Sequence, residues 1–443
     1  MKRLSVRRPG ALVLMAALAL ATRGGVSFAQ DSSLTVRIGI RTTPGVKPGV
    51  LVVPVNGEHG DSVRAILQRD LDFGDRVNVI SGDVVADDTT AGASRGEFNY
   101  PLYARLGAAA MVQVTTTATG LHVAVHDVST QRVERVRDFP VTAEPLSPDW
   151  RMQVHSVSDA VEFWVQGERG VASTRILYTS GGRLWQIDSD GANPTALTDA
   201  QPPAAYPAWH PLGTHIAYTV MTEDGRRVVL RQIDGRTRVL PAQSGSVNTS
   251  PVFSMPDGST LLYAFGMEHG TDLYALRIDA LTDPPRRVTV SRGMDAMSPS
   301  YSPDGRRIVY VTNRPGHPEL YVADADGTNS ELLTNFNFGD QSQRTDPAWA
   351  INGRLIAFQA EKDGRAQIHT VNPRDRAIRQ YTNEGRNEDP SWAPDSRHIV
   401  FTSNRSGSWQ LWVLDIESSR VRQITRAAGG ARAGAWSPRL IVN

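Results

Sequence analysis

Two hydrophobic rhythms divide the chain. Between residues 34 and 166 the apolar positions switch between strand and helix spacing. Val36, Ile38 and Ile40 alternate with polar or small residues, and the apolar run 50–53 stops at Pro54; both patterns predict strands. Asp61 is the predicted cap of a helix that carries Val63, Ile66, Leu67 and Leu71 on one face, and 77–80 returns as a strand. A second helix is predicted over 100–106, strands over 111–114 and 121–128, and a last helix, capped by Asp149, carries Val154, Val157, Val161 and Val165 up to Gly167. This reads as an α/β N-terminal domain over 34–166, with its polar stretch 87–96 as a loop.

From Thr174 onwards helical spacing disappears and short strands follow one another between turn residues. The stretch 299–334, PSYSPDGRRIVYVTNRPGHPELYVADADGTNSELLT, aligns along its length with 390–425, PSWAPDSRHIVFTSNRSGSWQLWVLDIESSRVRQIT. The shared anchor is Pro-x-aromatic, found at Pro207/Trp209, Pro251/Phe253, Pro299/Tyr301, Pro347/Trp349 and Pro390/Trp392, 43 to 48 residues apart. A repeat of about 40–50 residues holding four strands is the signature of a β-propeller blade. Within one copy the four strands are 299–302, 308–312, 319–323 and 331–334, and the Asp-Gly pairs at 304–305 and 326–327 turn one strand into the next. Outer strands end near Thr198, Leu240, Thr289, Thr334, Thr382 and Thr425, which counts six blades. The first, starting at 175–178, lacks an inner strand, and residues 433–438 are expected to supply it and close the ring. The predicted fold is therefore an α/β domain followed by an all-β six-bladed β-propeller over 167–443.

Composition narrows the address. The chain has 40% hydrophobic and 21% charged residues, ordinary values for a globular protein, and no cysteine, which excludes disulfides, thiolate metal sites and a lipid-modified cysteine. Residues 1–29 have a basic start, an apolar run 11–21 and Ser27-Phe28-Ala29 before Gln30, the layout of a secretory signal. Arg7-Arg8 is followed by Pro9-Gly10, which breaks a twin-arginine context. The net charge of +1 becomes −4 without the five basic residues of that leader, and neither value provides the basic excess that nucleic acid requires.

Three segments outside the repeat carry a resemblance. LTVRIGIRTTPGVKPGVLVVPV at 34–55, DWRMQVHSVSDAVEFWVQGERGVASTRILYT at 149–179 and AWSPRL at 435–440 resemble the mature N-terminus, the interdomain helix and the closing sequence of the TolB family of the bacterial Tol-Pal system. His155, Asp159, Gly167, Gly170, Thr174 and Arg175 stand at the family's pattern positions. Gly434 departs from the usual proline, and residues 441–443 extend past the pattern. The resemblance implies a periplasmic binding protein rather than an enzyme. It implies that the propeller mouth takes the peptidoglycan-associated lipoprotein Pal, that residues 30–41 take TolA through Val36, Arg37 and Ile38, and that the system supports outer-membrane integrity and constriction during division. Other outer-membrane lipoproteins are further candidate partners, and the expected state is a monomer without nucleic acid, direct membrane insertion, cofactor or metal. By blade position the implied Pal-contacting residues are those before each inner-strand proline: Asn248, Thr249, Ala296, Met297, Arg344, Thr345, Asp346, Asn387, Glu388 and Asp389.

Catalytic motifs are few. Gly92-Ala93-Ser94-Arg95-Gly96 fits G-x-S-x-G, but no buried strand precedes it and Pro101 interrupts the segment after it. Asp324-Ala325-Asp326-Gly327 is similar to the start of a calcium loop without its distal glutamate, and Asp188-Ser189-Asp190-Gly191 occupies the same turn in the first blade, which favours turn geometry over ligation. No His-Glu-x-x-His helix is present. The tryptophans at 209, 349, 392 and 436 mark blade anchors and read as propeller core. The alternative reading is an exported propeller enzyme or carbohydrate binder with a small ligand in its channel.

Overall fold

Strand β1 (Gly49–Val52) is buried along its whole length because both faces of its sheet are covered. Side chains alternate across a strand. Val50 and Val52 therefore pack with Val63, Ile66, Leu67 and Leu71 of helix α1 (Gly60–Phe73), and with Val154, Val157, Val161 and Val165 further along the chain. Leu51 and Val53 face the other way, onto Tyr103 of the short helix α2 (Tyr100–Arg105). Each such side chain contributes about 1.5–3 kcal/mol on burial, so the double cover is what makes a continuous apolar run stable here.

A computed structural model describes residues 46–81, 98–242, 246–336 and 342–440. The expected leader, the 30–41 segment with Val36, Arg37 and Ile38, the strand at 36–40 and the loop holding Ser94 lie outside the described residues. All described residues belong to one compact unit, so the α/β layer and the propeller are not separate bodies.

The α/β layer is a mixed sheet in the order β2 (Asn78–Ile80), β1, β3 (Ala108–Thr117), β4 (Gly120–Asp127), β5 (Arg132–Pro140), with β1 parallel to both neighbours and β3 to β5 an antiparallel meander. Helix α3 (Pro148–Gln166) lies beside α1 on one face. Both expected caps are corrected. His59, with φ 57°, precedes α1 and makes no side-chain cap, while Asp61 sits inside the first turn. At α3 it is Ser147 whose hydroxyl accepts from Trp150 N at 3.2 Å, and Asp149 is likewise a first-turn residue. Both acids favour the positive end of the helix dipole without capping it. Strand β5 escapes the sequence pattern because it is an edge strand: its Val133 and Val136 are 49% and 55% exposed among arginines and acids.

The repeats form antiparallel sheets. Four stand alone with four strands each: β17 (Ala296–Tyr301) to β20 (Glu331–Leu332), β21 (Gln343–Trp349) to β24 (Ile378–Gln380), β25 (Asn387–Trp392) to β28 (Val421–Gln423), and one in which β29 (Arg432–Trp436) pairs with β6 (Arg175–Ser180), followed by β7 (Arg183–Asp188) and β8 (Thr195–Ala196). The expectation of six separate blades is corrected at the second and third repeats. There β9 (Ala204–Trp209) to β12 (Thr237–Val239) and β13 (Val247–Phe253) to β16 (Arg286–Arg287) merge into one eight-stranded sheet, because β11 (Gly225–Gln232) meets β13 through a parallel pair at Arg226 and Val247. The fourth repeat shows why the turns need glycine. Gly305 has φ 69°, and a Cβ on it would lie 2.0 Å from the Met255 carbonyl of the preceding repeat. Asp304 Oδ1 accepts from Arg306 N at 3.1 Å to complete that turn.

Candidate functional site

Each inner strand carries the same backbone device. The residue before the anchor lies in the left-handed region in every repeat: Tyr206 (φ 48°), Ser250 (51°), Ser298 (47°), Asp346 (51°), Asp389 (53°) and Ala433 (54°). For a residue with a Cβ this costs roughly 1–2 kcal/mol, and in five of the six the following proline ring adds crowding. The pairing register shifts at these points, between residues 249 and 252, 297 and 300, 345 and 348, 388 and 391, and 432 and 435. A bulge breaks strand alternation, so two successive side chains are turned the same way.

Those six residues form a waist between two cavities. On one side the Pro-x-aromatic anchors enclose about 280 Å³. On the other lies a mouth of about 590 Å³. All six positive-φ residues line both. The waist is tied from repeat to repeat: Ser298 Oγ donates to Asp346 Oδ1 at 2.9 Å, Asp389 N to Gln359 Oε1 at 3.1 Å, and Ala433 N to Thr402 Oγ1 at 3.1 Å. Indoles brace the inner cavity in the same manner, with Trp392 Nε1 donating to Ala348 O at 3.0 Å and Trp209 Nε1 to Ala435 O at 3.2 Å.

The waist is electrostatically unbalanced. Burial raises the carboxyl of Asp389 to about 7, with Asp346 and Glu388 adding to the effect, and Thr402 Oγ1 at 3.1 Å only partly offsets it. Burial likewise raises Asp346 against the hydroxyls of Ser298 and Thr345. Glu388 is better matched, pairing with Arg386 and lying 3.4 Å from Arg432.

Of the ten residues singled out from the sequence, Thr249, Met297, Thr345, Asp346, Glu388 and Asp389 line the mouth. Asn248, Ala296, Arg344 and Asn387 do not, and the bulge is the reason. One residue further from the waist, the strand has turned back into its sheet. Asn248 donates to Arg226 O at 3.3 Å, Ala296 is fully buried, Arg344 pairs with Glu319, and Asn387 donates to Gln367 Oε1 at 2.8 Å. Tyr206, Ser250, Ser298 and Ala433 were missed, together with Arg226, Gln359 and Arg432 on the mouth wall. For Tyr206, Ser250 and Ser298 the signal is in the sequence, since five repeats beyond the first give a residue directly before the anchor proline.

The turn acids behave as turn acids. Asp326 Oδ1 accepts from Thr328 N at 2.9 Å, and Asp188 Oδ2 from Asn193 Nδ2 at 2.8 Å. Among the described residues no helix is long and apolar enough to cross a membrane.

Comparison with known proteins decides the family. The family model described as the TolB beta propeller domain matches residues 164–440. The chain belongs to the TolB β-propeller family. The Tol-Pal system protein TolB of Bordetella parapertussis is 30% identical over 273 residues, covering 52% of this chain and 61% of that protein, and TolB of Bordetella pertussis matches to the same extent. The chain thus spans about three fifths of the length of these curated relatives. The crystal structure of TolB from Acinetobacter baumannii superposes with a TM-score of 0.75 at 22% identity, covering 89% of this chain and 98% of that one, which establishes the shared fold. Within that fold, the waist is the part of this TolB-family propeller where all repeats meet.

Proposed function

We propose that this chain is a periplasmic scaffold of the Tol-Pal system that binds Pal through the propeller mouth and TolA through its N-terminal segment at Val36, Arg37 and Ile38, supporting outer-membrane integrity and constriction. Residues 1–29 act as the leader, 34–166 as the α/β domain and 167–443 as the propeller, whose eight-stranded sheet counts as two blades of six. The observation that carries the reading is the mouth itself. It is a preorganised concavity of about 590 Å³ to which Tyr206, Thr249, Met297, Thr345, Glu388 and Arg432 contribute one side chain per repeat. A wall assembled from every repeat suits docking of a folded partner with little rearrangement.

Calorimetric titration of the protein from Gln30 onwards with the soluble domain of Pal, repeated on protein lacking residues 30–41, tests this. Saturable binding by both, with the deletion altering its strength, is the expected result and shows coupling between the segment and the mouth. Absence of heat and of co-purification in both sinks the assignment and turns attention to a small ligand in the 280 Å³ cavity.

A further inference from the structure

The α/β layer meets the propeller along a seam that contains two fully buried histidines. His398 opens strand β26 (His398–Ser403). Its Nδ1 lies 2.7 Å from Asp395 Oδ2 in the preceding turn, and its Nε2 lies 3.8 Å from Asp75 Oδ2, in the loop after α1. His155 sits mid-way along α3, with Nδ1 2.7 Å from Asp70 Oδ2 in α1. The Asp188 to Gly191 turn of the first repeat faces it, and donor atoms of Asp70, His155 and Asp190 all fall within 4.8 Å of one another. Each imidazole's Nε2 is buried without a hydrogen-bond partner among the described residues. What Nε2 offers across the seam is therefore charge.

The surrounding groups decide which charge. Asp75, Asp395 and Asp415 lie near His398, and guanidinium groups already engage all three: Arg420 (3.0 Å) and Arg422 (2.9 Å) hold Asp75, Arg76 (3.1 Å) holds Asp395, and Arg397 (2.6 Å) holds Asp415. Lys47 stands 3.9 Å from Asp75, Glu162 pairs with Arg76, Glu417 pairs with Arg397, and Arg420 also grips Asp72. Around His155, Arg69 (3.0 Å) and Arg151 (2.7 Å) hold Asp190, Arg175 (3.3 Å) holds Asp188, and Ser158 Oγ (2.6 Å) donates to Asp70. Guanidinium groups already neutralise most of these carboxylates, which disfavours a metal ion in either cluster. A proton on the imidazole is the smallest charge that fits.

We propose that the seam is a proton-held latch: His398 as imidazolium bridges Asp395 of the propeller to Asp75 of the α/β layer, His155 as imidazolium faces Asp188 and Asp190 of the first repeat, and loss of these protons releases the α/β layer to shift on the propeller. Burial alone lowers both imidazoles, but Asp395 beside His398 and Asp70 beside His155 outweigh it, so both are raised above the ordinary histidine value. Arg422 opposes the charge on His398 without reversing the direction. Because both values are raised, the docked form holds its protons more tightly than the released form. The latch is closed below about pH 6.5 and opens as pH climbs through the docked values, each imidazole changing the docking equilibrium by up to about tenfold per pH unit. The latch works whatever the mouth binds.

Histidine-labelled full-length protein, titrated by NMR from pH 5.5 to 9 alongside amide hydrogen exchange corrected for intrinsic rates, tests it. The expected result is that both imidazoles titrate above 6.5, and that residues 70–76 and 186–192 lose protection in step with them while β22 (Ile356–Lys362) keeps its protection. In the His398→Gln protein the step at 70–76 is expected to shrink, losing the part around Asp75 that follows His398 and keeping the part at Asp70 that follows His155. Titration of either imidazole at or below 6.5 overturns the proposal. So does seam protection that stays flat through the titration, or that falls together with β22, or an unaltered step at 70–76 in His398→Gln. If that variant does not fold, the wild-type titration decides alone.

Discussion

Asp389 at the waist and Asp395 six residues later belong to one repeat, yet their proton affinities move in opposite directions. Both are desolvated. Asp389 has hydroxyl and amide donors for company, faces the like charge of Asp346, and is pushed up to about 7. Asp395 is met by His398 and Arg76 and is held well below the usual carboxylate range. Asp415 is lowered to about 2 by Arg397, and Asp75 is lowered by His398, Arg422 and Arg420. Burial is common to both regions, so the partners decide. The seam uses its cations to hold two layers together. The mouth leaves acids under-compensated beside an open cavity, an arrangement that costs the isolated protein and suits a site completed by something else.

The sharpest way to break this contrast is to remove the centre of the seam. Asp75→Ala leaves Arg420, Arg422 and His398 without their shared counter-charge at a fully buried position, and a loss of about 3–5 kcal/mol in urea unfolding is expected. A loss below about 1 kcal/mol erases the distinction.

The matching change at the waist has the opposite sign. Asp389 has a raised folded-state value, so the folded protein binds its proton more tightly and the contribution to stability falls as pH rises from about 4 to about 7. Asp389→Asn is expected to be as stable as wild type at about pH 4 and below, where the carboxyl is protonated in the folded and largely in the unfolded protein, and about 2–4 kcal/mol more stable at pH 8. The urea midpoint at both pH values measures this, and a destabilised variant at pH 8 shows that the carboxylate has cationic support after all.

Binding sharpens the contrast from the other side. Met297→Arg places a bulky charge on the mouth wall, and if the mouth takes Pal as proposed, that binding is expected to weaken about tenfold, roughly 1.4 kcal/mol. Unchanged calorimetric affinity removes Met297 from the interface.

How far the sequence reaches differs between these two regions. The repeats are legible because a Pro-x-aromatic anchor recurs, and the positions before it lead to the mouth. What the pattern cannot express is the positive φ at Asp346 or Asp389, and that single backbone feature decides that Thr345 faces the cavity while Arg344 turns away. The merger of two repeats into one sheet rests on one pair, Arg226 with Val247, which no local rhythm announces. Caps fail for a similar reason: Asp61 and Asp149 are plausible by type, but the chain direction before them gives His59 and Ser147 the boundary positions. The seam is legible only on the interdomain helix and the strand after it, where His155 and Arg175 stand out; its other partners are not, since Arg397 and the Asp75 carbonyl it meets at 2.9 Å are 322 residues apart.

The smallest expected effect tests whether the mouth is held together at all in the manner of the seam. The guanidinium of Arg432 lies 3.8 Å from the centre of the Trp409 ring and 3.4 Å from Glu388, in a side chain that is 47% exposed. An exposed cation–π contact and an exposed ion pair each contribute about 0.5–1 kcal/mol at most, and salt screens the second. Arg432→Ala is therefore expected to lower stability by less than about 1 kcal/mol, with the difference shrinking further at high ionic strength. A loss near that of Asp75→Ala means that the mouth rim is a structural clamp like the seam. In that event the unbalanced acids at the waist are compensated through Arg432, and the case for a partner completing them weakens.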